Sequence, residues 1–307
     1  MTTQAASLSA SVSRPSRWQK IKDGLSILWG SKIALVGLVI ILFWVLAAIF
    51  APVVTKYKPN AEDAQARNQG PSTAHWLGTD HKGRDLWSRV AYGGQIVLIK
   101  WPINDKLWIP GGVAIWGVLL SLLIGSTLGL LSGYYGGLTD EGVMRVLDAM
   151  MAFPTILLYL IIIAAIGASA TNVVIAITIA GTPGIARLVR SLTLDIRTRD
   201  YVAAAQTRGE TGLWMMFVEI LPNARGPVMI DAMLRVGYAI FSLGTLGFLG
   251  LGLPPPNPDW GSMVQTGHEH IFSNPWAVIW PTLAISSLVV GLSLLADGLR
   301  EESLRYQ

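Results

Sequence analysis

Few side chains in this sequence are of the types that do chemistry, and their spacing argues against most of it. His268-Glu269-His270 offers two imidazoles and a carboxylate, a metal-binding set by type. The three are consecutive, so the imidazoles cannot share one helix face. A solvated loop accounts for them better, and no metal site is expected. The chain has no Gly-Lys dipeptide, which excludes a phosphate loop of the G-x-x-x-x-G-K-[ST] kind. H-E-x-x-H and G-x-S-x-G are also missing, so no catalytic residue is expected. Asp231 and Arg235 stand four apart, the spacing at which a carboxylate and a guanidinium pair on a helix. The pair is a candidate gate, because ionisable groups within membrane helices are usually functional. Pairing or snorkelling at the inner end of a helix is the plainer account.

The elements that must position these groups are set by composition. Of 307 residues, 52% are hydrophobic and 14% charged, against about 25% charged in soluble domains. Mean hydropathy is +0.49. Charged side chains cost roughly 2.5–3.5 kcal/mol each at mid-membrane on insertion scales, so the deficit points to a lipid bilayer. There is no cysteine, hence no disulfide or thiolate site. The net charge of +4 does not imply nucleic acid, because the basic residues lie between apolar runs, where the positive-inside rule places them.

Stretches without Asp, Glu, Lys or Arg run over 33–55, 107–139, 149–186, 236–258 and 271–296. A span needs about 20 residues, so 149–186 is long enough for two, with turn chemistry at Gly167–Asn172. Six spans are predicted, near 33–51, 111–132, 147–166, 171–189, 230–251 and 278–297. Basic residues before the first span and the six arginines from Arg187 to Arg225 place both termini in the cytoplasm. Around the spans we expect a disordered cytoplasmic segment 1–24, a first span with a long outer loop over 25–110, and a five-helix core over 111–307. Ile99 to Pro110, with two prolines, reads as an insertion before the second span and part of that outer loop. Trp101, Trp108, Trp276 and Trp280 read as belt anchors at the outer surface.

Small residues suggest where helices meet. Gly125, Gly129 and Gly133 are spaced as G-x-x-x-G, which lets backbones approach, and Gly244, Gly247, Gly250 and Gly252 read the same way. The inner loop over 190–225 is the most informative segment. Asp200 to Thr207 reads as a short helix, 209–212 as a glycine break, and the residues after it as a second helix stopped before Pro222. Leu213, Met216, Phe217, Ile220 and Leu221 fall on one stripe, and Gly209 is expected to supply a positive φ or a close contact. An amphipathic helix lying on lipid is the plainer alternative, though the segment lacks a lysine-rich face.

These residues resemble the permease subunits of binding-protein-dependent ABC importers, whose cytoplasmic signature is E-A-A-x(3)-G-x(9)-I-x-L-P. Ala204, Ala205, Gly209, Leu221 and Pro222 match it, with Ile220 at or beside the apolar position. Ala203 stands where the family has its acidic residue. Residues 76–89 resemble the L-G-T-D-x-x-G-R-D-x-x-S-R segment of the dipeptide, oligopeptide and nickel permease group, through Gly78, Thr79, Asp80, Gly83, Arg84 and Asp85. Gly133–Gly137 with Asp140 and Asp148, Phe248–Gly252, and Pro258-Asp259-Trp260-Gly261 are also similar.

The resemblance covers about 25–307 and implies an all-α integral membrane protein with about six transmembrane helices, a type I ABC importer (MetI-like) transmembrane domain of the "C" type. It further implies a bacterial inner-membrane location and coupling to an ATPase through Ala203, Ala204, Ala205, Gly209, Ile220, Leu221 and Pro222. The implied partners are a second homologous permease, two cytoplasmic ATPase subunits and an extracytoplasmic substrate-binding protein. This chain would bind no cofactor, and ATP and Mg would be used by the ATPases. Peptides are the expected cargo, with opines, sugars or nickel and metal chelates as alternatives. An ion-coupled secondary transporter would need buried acids or histidines at mid-span, which five of the six spans lack. A membrane anchor without transport would leave the 200–222 pattern accidental.

Overall fold

In the computed structural model, residues 30–102 and 107–305 are described. The expected segment 1–24 and residues 103–106 lie outside them. Helix α1 (Lys32–Ile49) is capped by the Ser31 hydroxyl, which accepts from the Ala34 amide. A short α2 (Ala51–Val54) follows, and then the long connection to α3 (Leu86–Gly94), which runs on as a π-helical turn over Gln95–Ile99. Strands β1 (Lys100–Pro102) and β2 (Trp108–Pro110) pair antiparallel, Trp101 opposite Ile109. The expected proline-rich loop is thus a hairpin. Its prolines sit at the strand ends, where a missing N–H costs the ladder little.

The remaining helices are α4 (Val113–Tyr135), α5 (Gly137–Met151), α6 (Thr155–Ile166), α7 (Ala170–Ile196), α8 (Asp200–Thr207), α9 (Gly212–Trp214), α10 (Leu221–Phe248), α11 (Trp260–His268) and α12 (Trp276–Arg305). Five helical runs among the described residues are long and apolar enough to cross a membrane, and the count is six if the bent pair α5–α6 is one span. Side chains such as Val36, Val39 and Phe43 on α1 and Leu123 on α4 face outward. In lipid, this is the favourable side for them.

Two sequence expectations are corrected. The predicted span 147–166 is not one helix. Its chain breaks at 152–154 and turns by 88° between α5 and α6. Pro154 has no N–H to donate and holds Phe153 out of the helical region. Alone, α6 is about 18 Å long, short of the roughly 30 Å of hydrocarbon. The second correction is Pro222, which stops nothing. A π-helical turn over Met215–Ile220 leads into α10, and Pro222 occupies the first turn of that helix. Its missing N–H falls at the junction of the π-helical turn with α10, where the regular ladder is already interrupted. The helical run is therefore continuous from Gly212 to Phe248.

The glycine expectation holds inside the subunit. Helices α4 and α7 pack along their length. A Cβ on Gly125 would sit 2.8 Å from Ile185 Cβ, one on Gly129 2.5 Å from the Ala186 carbonyl oxygen, and one on Gly133 2.7 Å from Thr193 Cβ. Such backbone approach needs glycine. Ser121 on α4 donates to its own helix at Gly117 (2.7 Å) and reaches the Ile177 and Thr178 carbonyls of α7. At the same end of the bundle as Gly133, Arg197 donates to the Gly133 carbonyl (2.8 Å) and Arg190 Nε to Asp140 of α5 (2.6 Å).

Candidate functional site

Three places deserve description as sites: the 200–222 segment, the 76–89 segment, and the surroundings of Arg235.

At one end of the bundle, the chain leaves α7, forms α8, turns at Gly209 and returns through α9 and the π-helical turn into α10. A small core holds this excursion down. Val202, Ala205, Met215, Met216 and Ile220 are fully buried, packed with Leu130, Ile185, Val189 and Ala224. Ala203, Ala204, Gly209 and Pro222 face outward, and Leu221 is half-buried. The predicted stripe is only partly right. Met216 and Ile220 are inside, but Leu213 and Phe217 are exposed. The π-helical turn advances the chain by an extra residue per turn and rotates the stripe, which spacing of 3.6 cannot foresee. Gly209 has φ of +79° with open space around its α-carbon, so the positive φ expected of it is present and the close contact is not. Arg208 reaches Glu219 (3.6 Å) and Glu210 (3.8 Å) across the turn.

At the opposite end, the 76–89 segment is a knot of internal bonds. Asp80 Oδ1 accepts from the amides of Lys82 (2.8 Å) and Arg84 (3.0 Å), and its Oδ2 from Arg84 Nε (2.7 Å). Asp85 caps α3 by accepting from the Ser88 amide and hydroxyl at 2.8 and 2.7 Å, and lies 3.0 Å from His75 Nδ1. The Thr79 hydroxyl donates to the Ala66 carbonyl, and the Thr79 carbonyl accepts from Asn274 (2.6 Å). Gly83 turns at φ +78° against the backbone of Asp63. Thr79, Asp80 and Asp85 are buried. Arg89 is also buried, its guanidinium pulled down to about 10 by burial and by the neighbouring Arg84 charge. Its Nη1 donates to the Pro59 carbonyl (3.1 Å) and Asn60 (3.0 Å). These bonds fold the long connection onto α3, although Arg89 Nε has no hydrogen-bond partner and lies 3.9 Å from Asp80. Trp260 fastens α11 to the same helix by donating to the Val90 carbonyl (2.9 Å).

The expected gating pair forms, Asp231 accepting from Arg235 Nε. It does not lie at a helix end. With α10 beginning at Leu221 rather than near 230, Arg235 stands about halfway along α10. Its Nη1 is 3.4 Å from the Gly181 carbonyl, near the middle of α7. Beside it opens a cavity of about 400 Å³ lined by Ser121, Met151, Phe153, Tyr159, Tyr238 and Ser242, among others. The break at 152–154 lies on its wall. Sequence reasoning missed this cavity. Its trace was a set of hydroxyls inside apolar runs, Ser121, Tyr159 and Ser242, each unremarked singly. His268, Glu269 and His270 do not converge on a metal position, and no metal-binding group of three is found among the described residues. His270 instead stacks on His81, ring centres 5.0 Å apart.

A multi-pass bundle with a small-residue helix seam, an exposed loop clamped at one end and a folded cap at the other defines a membrane permease. Residues 125–301 match the binding-protein-dependent transport system inner membrane component family, and the chain belongs to it. Residues 17–71 match the N-terminal TM domain of oligopeptide transport permease C. The chain is 40% identical over 271 residues to the dipeptide transport system permease protein DppC of Alkalihalophilus pseudofirmus, covering 88% of this chain and 85% of that one. It is 37% identical to the probable D,D-dipeptide transport system permease protein DdpC of Escherichia coli (91% and 90% covered). It is 34% identical to the oligopeptide transport system permease protein OppC of Bacillus subtilis (91% and 88%). This is thus a permease subunit of a binding-protein-dependent importer, not an enzyme. It is a multi-pass inner-membrane protein that works in a complex with other transporter components. Subunits of this family hold no cofactor themselves.

Proposed function

We propose that this subunit carries short peptides inward through a pathway it shares with a second, homologous permease. The relatives' names, dipeptide and oligopeptide permeases, support the cargo. Two cytoplasmic ATPases, using ATP and Mg, dock on the 200–222 excursion, and an extracytoplasmic binding protein docks on the end that carries residues 56–102, 107–112 and 249–275. Both termini face the cytoplasm. The carrying observation is the construction of the excursion. Ala205 and Ile220 are buried anchors, whereas Ala203, Ala204, Gly209 and Pro222 are small residues exposed on the surface of the excursion. A push on that surface reaches α7 and α10 together, since its core is built from both. ATP-driven closure of the ATPases thereby biases a two-state arrangement of the spans. The Asp231–Arg235 pair, lying between those two helices, is the candidate gate.

The test is reconstitution in vesicles with the partner permease, ATPases and binding protein. ATP-dependent uptake of labelled dialanine is expected, and ATPase should co-purify with this chain. Uptake without ATP, driven by an ion gradient, would sink the reading.

A further inference from the structure

We propose that Arg235 receives the free carboxylate of the passing peptide, so that the permease itself prefers substrates with an unblocked C-terminus. This rests on the peptide reading above. The guanidinium lies between the middles of α7 and α10, where an ionisable group is a functional candidate by default. Nε donates to Asp231, and Nη1 lies near the Gly181 carbonyl. Nη2 meets no partner among the described residues. The space for the group is made by glycine. A Cβ on Gly184 would lie 2.9 Å from both Nη1 and Nη2.

Arg235 lines the cavity of about 400 Å³, within the range of small-ligand sites. Among the described residues, Arg235 is the one charged side chain on its wall, the rest being aromatic, hydroxyl, methionine and aliphatic groups. A peptide entering this space meets one charged group on the wall, a guanidinium already paired with Asp231. It has the planar fork that matches a carboxylate two bonds at a time. The chain also breaks helix at 152–154 on the same wall. Irregular backbone within a span is tolerated where it is buried in protein or lines a cavity. Asp231 makes the arrangement serviceable. It keeps the guanidinium neutralised when no peptide is present, and it competes with the arriving carboxylate. The hold is then weak enough for release, as conduction requires.

A pair that merely staples α10 to α7 would look similar at rest, so the test must read selectivity. In the reconstituted complex, uptake of dialanine and of dialanine amide is measured at matched occupancy of the binding protein. Wild type should favour dialanine. In Arg235→Met, the dialanine-to-amide uptake ratio should fall tenfold or more. In Arg235→Lys, which keeps the charge without the fork, it should fall threefold or more. If Arg235→Met does not co-purify with its partners, the Lys variant decides. Uptake of both peptides falling by one common factor, or a ratio that does not move, overturns the role of Arg235. Wild type taking up neither peptide overturns the peptide reading and this inference with it.

Discussion

At Gly209 the backbone adopts φ of +79° with nothing within 4 Å of where a side chain would begin. Alanine there should cost about 1–2 kcal/mol of local strain and weaken uptake modestly. Tryptophan adds bulk on the proposed docking surface. Gly209→Trp should reach the membrane yet lose uptake and co-purifying ATPase. Normal retention of both would show that the surface touches no partner. Asp259 is a different case. It caps α11 through the amides of Gly261 (3.3 Å) and Ser262 (3.2 Å), packed against Gly247 and Gly252. Burial pushes its carboxyl up to about 6 from 3.8. The folded form therefore keeps its proton to higher pH than the unfolded one. The resulting stabilisation is complete below about pH 4 and is lost as pH rises through about 6, an effect on the order of 3 kcal/mol. Apparent Tm in detergent should drop more between pH 4 and pH 7 for wild type than for Asp259→Asn. Equal drops would mean that Asp259 does not titrate in that window.

Helix pairs show what could be read beforehand and what could not. The G-x-x-x-G spacing of Gly125, Gly129 and Gly133 was legible because it depends on periodicity alone, and α7 is the partner it needed. The bend before α6 was not, although Pro154 stood in plain view. A run of apolar residues hides a change of direction, and hydropathy carries no angle. Pro222 misled in the opposite sense, since a proline ends a regular helix but here follows directly on a π-helical turn that already interrupts the regular ladder. The 76–89 motif was legible as a pattern, but its meaning, an interlocked cap rather than an open ligand site, came only from bonds such as Asn274 to Thr79, which join residues 195 apart. If the α4–α7 seam carries the fold as described, Gly129→Leu should be severe. Its Cβ would start 2.5 Å from the Ala186 carbonyl oxygen, and backbone cannot swing away as a side chain can. Overpacking of this kind costs typically 1–3 kcal/mol, occasionally more. The variant should show reduced membrane abundance and a lowered apparent Tm, whereas Gly142→Leu, on the open face of α5, should show neither.

For the whole molecule, the number of crossings fixes where everything else must work. Because α7 packs parallel to α4, the 200–222 excursion and the 76–89 cap fall at opposite ends of the bundle, so one signal cannot reach both without passing through the helices. The excursion carries Arg197, Arg199 and Arg208, with Arg187 and Arg190 towards the end of α7, a cluster that the positive-inside rule predicts to lie inward. Since the native chain has no cysteine, single introduced thiols report cleanly. Phe272→Cys and Leu138→Cys replace exposed side chains, on the segment between α11 and α12 and on α5 respectively. In intact spheroplasts an impermeant maleimide should modify the first and spare the second, and in inverted vesicles the preference should reverse. Modification of both from the same side would remove the sixth crossing, and with it the separation between binding-protein and ATPase surfaces on which the import mechanism depends.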